Sequence, residues 1–405
     1  MRRCLTTVLI TFAATIAAGD IRTVIAQKSV AGEWICSAQT LPLFYERRSF
    51  LPAWNDDDAR DMIAAIERAP EDGLRPADYH FAALLSLPGG DESDVLLTDA
   101  FLLLAGHLLA GRFDPQTIEP TWCLEPRTAD LVSALETALE NHEVRETLAL
   151  MPPSHPDYRR LREELARYRA IESIAPVADR ILQLELSLER WRWLPATLGE
   201  RYAIVNIAEF QLRVVENEQT VLSMRIVVGK DYRQTPIFSS RITQVVFSPY
   251  WNVPASIATK ELLPKGERYL QREHIEVLPN GRLRQTPGPW NSLGLIKFNI
   301  PNRYDVYLHD TPARELFNRS SRAFSHGCMR IEKPVDLVQY LLPGWTREEI
   351  VAQSKRGTER AIEVPDPLPV HVLYWTAFVG EDGAVHFAKD VYGRDEVLAN
   401  AIAAR

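Results

Sequence analysis

The hydrophobic period of this chain changes once, near Arg201, and the change divides it into a helical half and a sheet half. Before Arg190 apolar residues recur at helical spacing. Residues 58–69 carry Met62, Ile63 and Ile66, and Asp56-Asp57-Asp58 puts carboxylates where a helix N-terminus favours them. Residues 96–109 predict a strongly apolar helix, and residues 130–139 and 156–168 two amphipathic ones separated by Pro152-Pro153. Residues 182–194 predict a further helix leading into the second half. From Arg201 the period is two. Residues 202–207, 211–216 and 221–228 predict strands, with Asn217-Glu218 in a hairpin turn. Three more are expected at 245–247, 294–298 and 306–308, and a short helix at 336–342. Many short strands punctuated by proline and glycine indicate a β-rich, sandwich-like domain. The expected class is α+β, an all-helical domain followed by a β-rich one.

The start of the chain has the form of an export signal. Met1-Arg2-Arg3 is a short basic run, and Cys4 to Ala18 is apolar, small or hydroxylated. That stretch has the length of a secretory signal and is shorter than the ~20 residues needed to span a bilayer. Val24-Ile25-Ala26 predicts cleavage before Gln27, with Ala18 the alternative. The expected division is therefore a signal at 1–26, a helical domain at 27–190 and a β-rich domain with a C-terminal extension at 191–405. No later stretch predicts a membrane span, and the apolar run Phe101–Ala110 reads as a buried helix. The expected location is the periplasm, in association with the cell wall.

A chain of 405 residues, 46% hydrophobic, is long enough for two cores. Its net charge of −8 argues against a nucleic-acid binder. Three of the four cysteines remain once Cys4 leaves with the signal. Cys36 and Cys123 are available to pair in an oxidising compartment, leaving Cys328 free.

Cys328 stands in Ser325-His326-Gly327-Cys328-Met329-Arg330, and His309 lies upstream. An imidazole that takes a thiol proton makes the sulfur a nucleophile. Glycine lets a backbone approach a reacting carbonyl closely. A buried structural cysteine is the ordinary alternative for a lone Cys, but the surrounding histidines, glycine and arginine favour a working thiol.

These residues resemble the L,D-transpeptidase family with a YkuD-type catalytic domain. Its pattern is a histidine, a spacer, then Ser/Thr-His-Gly-Cys. Here it reads His309, a spacer from Asp310 to Phe324, then Ser325 to Cys328. Further segments resemble the long branch of the family that carries a scaffold domain. They include Trp191-Arg192-Trp193-Leu194-Pro195, Gln234-Thr235-Pro236, Pro249 to Pro254, Tyr307 to Pro312, Tyr374 to Ala377 and, in the helical half, Ala110 to Pro115. Two departures stand out. Ala170 to Leu188 is too short for the peptidoglycan-binding domain usual in that branch. The segment from Ile257 to Pro289, where the branch places a lid, also looks short.

The resemblance implies Cys328 as nucleophile and His309 as general base. His326 would tune the thiolate or line the donor site, or act as a hydrogen-bonded structural histidine. It also implies an oxyanion hole from the N–H groups of Gly327 and Cys328, with Ser325 beside them. Arg330 would bind a substrate carboxylate or form a structural ion pair, and Tyr307, Tyr250 and Trp251 would line the cleft or sit in the core. The implied partners are peptidoglycan tetrapeptide stems, donor and acceptor, joined 3→3 through a thioester with loss of D-alanine. No cofactor or metal is expected, although His309, Asp310, His326 and Cys328 are all zinc-ligand types. An L,D-carboxypeptidase or other cysteine peptide hydrolase would use the same residues, and a non-catalytic wall-binding module is a different class.

Overall fold

The computed structural model describes residues 20–404 except Ile174. Met1–Gly19, most of the expected export signal, lie outside the described residues. The chain divides into two compact units, one of residues 1–109 with 128–152, the other of 110–127 with 153–405.

The first unit is helical. The side chain of Asn55 accepts the Asp57 and Asp58 N–H groups and starts the helix Asp56–Arg68. Met62 and Ile66 of that helix are buried. The helix Asp91–Ala110 is long and apolar enough to cross a membrane, but most of that stretch is buried inside the protein. Its buried acids are satisfied. Asp94 accepts the Tyr45 hydroxyl at 2.6 Å and the N–H groups of Ala53 and Trp54. Asp99 accepts those of Cys36 and Ser37 and faces His80 Nε2 at 2.8 Å. Residues Ile21–Ala26, expected to leave with the signal, form a helix whose Ile21 and Val24 belong to this unit's core.

The second unit is built on one nine-stranded sheet. Its strands are β1 (Arg201–Asn206), β2 (Gln211–Glu216), β3 (Gln219–Gly229), β4 (Phe238–Phe247), β5 (Ile296–Asn299), β6 (Leu308–His309), β7 (Ala323–Ser325), β8 (Met329–Ile331) and β9 (Arg360–Leu373). The spatial order is β7-β3-β8-β6-β5-β4-β9-β1-β2, and β2 pairs in turn with β3. The sandwich-like layering therefore comes from a sheet that closes on itself, which leaves few open edges. Asn217 and Glu218 turn the β2–β3 hairpin with φ of 48° and 65°, the left-handed pair a tight hairpin requires.

Helices Pro156–Ala170 and Ala178–Arg192 pack on this sheet. Tyr158, Leu161, Leu165, Leu184 and Leu188 share one core with Ala203, Val205 and Leu212. Two segments singled out in the sequence fit together here. Glu189, wholly buried, accepts the Arg112 N–H at 2.6 Å, a guanidinium N–H of Arg192 at 2.5 Å and the Trp193 indole at 3.2 Å. Gly111 permits the approach, since a Cβ there would lie 2.7 Å from Glu189 Oε1 and from Trp193.

The segment expected to be a shortened lid folds as a small body of its own. Trp251–Asn252, Leu283–Gln285 and Ile275–Val277 form a three-stranded antiparallel sheet. Val253, Ile257, Leu262, Leu270, Ile275 and Leu283 make its separate apolar cluster.

The pairing of Cys36 with Cys123 does not form, and both side chains are exposed. Each is engaged within its own unit, Cys36 with the Trp34 carbonyl at 3.5 Å and Cys123 with the Ser239 N–H at 3.2 Å.

Candidate active site

Strand register explains how distant residues meet. β6 and β8 run parallel, with Leu308 opposite Met329 and His309 opposite Arg330. Cys328, one residue before β8, is therefore level with Tyr307, and the Met329 N–H bonds to the Tyr307 carbonyl at 3.0 Å. Side chains alternate along a strand. Leu308, Met329 and Ile331 point into the core and are fully buried. Tyr307, His309, Cys328 and Arg330 consequently share the opposite face. Lys297 of β5, antiparallel to β6 and opposite His309, joins them.

Cys328 is half-buried. Its thiol approaches the Asp305 carbonyl at 3.8 Å. Its sulfur also takes hydrogen bonds from the Tyr307 N–H and hydroxyl. Burial pushes the thiol above its usual range, while Tyr307, Lys297 and Arg330 pull it back. The net direction is upward, so the resting sulfur is protonated.

His309 is 4% exposed, and its Nδ1 lies 2.5 Å from the Asp310 carbonyl. A carbonyl only accepts, so Nδ1 carries the hydrogen in the neutral ring and Nε2 is the nitrogen with a lone pair, and the Leu293 carbonyl also faces the ring. Burial, with Arg330 nearby, pushes the imidazole down to about 3. The ring is neutral at physiological pH. The resting pair is thus thiol and neutral imidazole.

The motif loop is held from two sides. Ser325 Oγ donates to the Cys328 carbonyl at 2.5 Å and accepts the Gly327 N–H at 3.1 Å. That contact corrects the oxyanion assignment, since the Gly327 N–H is turned to Ser325 instead of the cleft. Gly327 has φ of 118°, a conformation that favours glycine. Its carbonyl accepts from Thr235 Oγ1 at 2.8 Å. Thr235 is fully buried, and its N–H donates to the Tyr392 hydroxyl, which itself donates to the Gly229 carbonyl at 2.7 Å. A residue of the C-terminal extension therefore braces the loop.

His326 leaves the shared face and meets Glu261, Nε2 to Oε1 at 2.8 Å. Trp251 bonds through its side chain to the Tyr307 hydroxyl. Tyr250 lies under Arg284, whose guanidinium carbon is 4.2 Å from the ring centre. The small body around residues 251–285 thus touches the motif region through both Trp251 and Glu261. Arg330 makes no ion pair among the described residues, and its buried Nε has no hydrogen-bond partner. Among the described residues no group of His, Cys, Asp and Glu is gathered to hold a metal ion.

Lys297, Thr235, Tyr392 and Glu261 were not singled out from the sequence as site residues. Thr235 lay in a quoted segment and Lys297 in an expected strand. Neither Glu261 nor Tyr392 carries any local signal.

Residues 200–351 match the family model of the L,D-transpeptidase catalytic domain, and residues 39–165 that of the scaffold domain. A curated Haemophilus influenzae protein named "Putative L,D-transpeptidase" is 28% identical over 399 residues, covering 88% of this chain and 78% of that protein. Among solved structures, an L,D-transpeptidase from Mycobacterium smegmatis is 15% identical, with 44% of this chain and 60% of that one covered and a TM-score of 0.25. L,D-transpeptidase 3 from Mycobacterium tuberculosis in complex with a faropenem-derived adduct is 15% identical, with 43% and 60% covered and a TM-score of 0.23. This chain spans 60% of each of those two solved chains. His309 and Cys328 both fall within the matched catalytic region, and the chain carries an L,D-transpeptidase catalytic domain preceded by a scaffold domain.

Proposed function

We propose that the protein is a cysteine-dependent L,D-transpeptidase acting on peptidoglycan stem peptides outside the cytoplasm. The observation that carries this reading is the shared face of Cys328, His309, Tyr307 and Arg330 across paired strands within the matched domain.

In the first step the Cys328 sulfur attacks the carbonyl of the third residue of a tetrapeptide donor. His309 Nε2 takes the thiol proton as the S–C bond forms and hands it to the departing amine as the C–N bond breaks. The Cys328 N–H and the Tyr307 hydroxyl are the donors beside the sulfur for the developing oxyanion. D-Alanine leaves and a thioester remains. In the second step the side-chain amine of another stem attacks the thioester, His309 takes its proton and returns it to sulfur, and a 3→3 cross-link results. One amide replaces another, so no cofactor is required. Carbapenems are expected to acylate the same sulfur.

With water as the acceptor the same steps give an L,D-carboxypeptidase. Incubating the protein with purified tetrapeptide muropeptides and analysing the products by mass spectrometry tests the reading. Cross-linked dimers with loss of alanine support the transpeptidase; tripeptide monomers alone make it a carboxypeptidase; unchanged substrate contradicts both and leaves a wall-binding module.

A further inference from the structure

Two cations face the thiol, and neither is held in an ion pair with a carboxylate among the described residues. In one row across the sheet, Lys297 on β5 lies opposite His309 on β6, and His309 lies opposite Arg330 on β8. The imidazole therefore sits between an ammonium and a guanidinium. Both side chains are partly buried, and neither makes an ion pair among the described residues. The Lys297 ammonium is 4.3 Å from the centre of the Tyr307 ring. Its charged neighbours are Cys328, Glu359 and Asp305, and those of Arg330 are Cys328 and Glu315. Glu359 accepts the Tyr250 N–H at 2.7 Å. Burial lowers the proton affinity of both cations.

Partly buried charges without a counter-ion are costly, and proteins keep them mainly where an anion arrives. The anion can be located by chemistry. His309 is the group that hands a proton to the departing amine, so the departing residue lies beside it. In a tetrapeptide donor that residue is the last one, and its free carboxylate is a single carbon from the amine. A longer stem has an uncharged amide at that place.

We infer that Lys297, acting with Arg330, binds the free carboxylate of the departing residue and so selects donor stems with one residue after the scissile bond. The inference rests on the acyl-transfer reading above and adds to it a specificity residue and the group it recognises.

Two synthetic donors test it, the same tetrapeptide with a C-terminal carboxylate and with a C-terminal amide. Withdrawing the ammonium from the thiol slows both donors alike, and beyond that common loss the Lys297→Met variant is expected to lose about tenfold or more in kcat/KM for acylation by the acid relative to the amide. Lys297→Arg is expected to recover most of the loss. An equal loss on both donors, or none on the acid, overturns the inference. Alkylation of Cys328 by iodoacetate and by iodoacetamide gives an arm that needs no peptidoglycan. The rate ratio of the anionic to the neutral reagent should fall in Lys297→Met, and an unchanged ratio also overturns the inference. Wild-type protein acylated by neither peptide would contradict the acyl-transfer reading instead, and the two alkylating agents would then decide the role of Lys297 alone.

Discussion

His326 Nε2 lies 2.8 Å from Glu261 Oε1, joining the loop that carries Cys328 to the small body around residues 251–285. His326 is thus turned toward Glu261, while His309 shares the face of the sulfur. His309→Ala should therefore slow acylation by a carbapenem by about a thousandfold or more, because the thiol loses its proton acceptor. His326→Ala should cost far less, about tenfold. The rate of adduct formation measures both, and the reverse ranking would exchange their roles.

The same pair is solvent-accessible, with side chains 30% and 44% exposed. Exposed ion pairs contribute little to stability, ~0–1 kcal/mol. Glu261→Gln should leave the urea midpoint of unfolding nearly unchanged. A loss several times larger would mean that the contact holds the small body in place.

The neutral resting pair sets a pH dependence. Burial holds the Cys328 thiol above its usual range, and the His309 imidazole, at about 3, stays uncharged from mildly acid to alkaline pH. The thiolate fraction therefore rises only as pH climbs through the raised thiol value. Iodoacetamide should modify Cys328 faster with each rise in pH and still be accelerating above about pH 9. A rate that is already flat between about pH 5 and 8 would reveal a thiolate–imidazolium pair.

Much of this architecture was legible. The change of period at Arg201 marked where β1 begins, and Asn217-Glu218 turned where expected because that hairpin needs two left-handed residues. The strand β9 was not legible. Pro365, Pro367 and Pro369 argue against a strand, since each lacks an N–H for the ladder. The chain accommodates them with a register shift between Glu363 and Leu368. The motif named Cys328 and His309 because its spacing is local. Lys297 stayed hidden because β5 shows only an ordinary alternation, Ile296-Lys297-Phe298-Asn299. What makes it a site residue is the strand beside it, a pairing that sequence periodicity does not encode. Glu261 and Tyr392 were hidden for the same reason.

The brace behind the loop predicts a positioning effect. Thr235→Val keeps the volume but removes the bond to the Gly327 carbonyl. It should lower kcat for acylation by about tenfold with little change in KM, and Thr235→Ser should restore it. A loss confined to KM would instead place Thr235 in substrate binding.

The N-terminal helix bears on export. Ile21 and Val24 are buried in the core of the helical unit, and burying such a side chain is worth about 1.5–3 kcal/mol. Cleavage before Gln27 would remove both, so the alternative at Ala18 fits the packing better. If the proposed export signal is cleaved, the intact mass of the processed protein should correspond to a chain starting at Gly19. A chain starting at Gln27 that unfolds at the same urea concentration would show that Ile21 and Val24 contribute nothing.

Cys328 is expected to carry the acyl group. Intact-protein mass spectrometry of the protein mixed with tetrapeptide muropeptide checks this. The expected adduct equals the donor less alanine, carried by the peptide that contains Cys328 and absent from Cys328→Ala. Cross-links formed by the Cys328→Ala variant, or an adduct on any other residue, would contradict it.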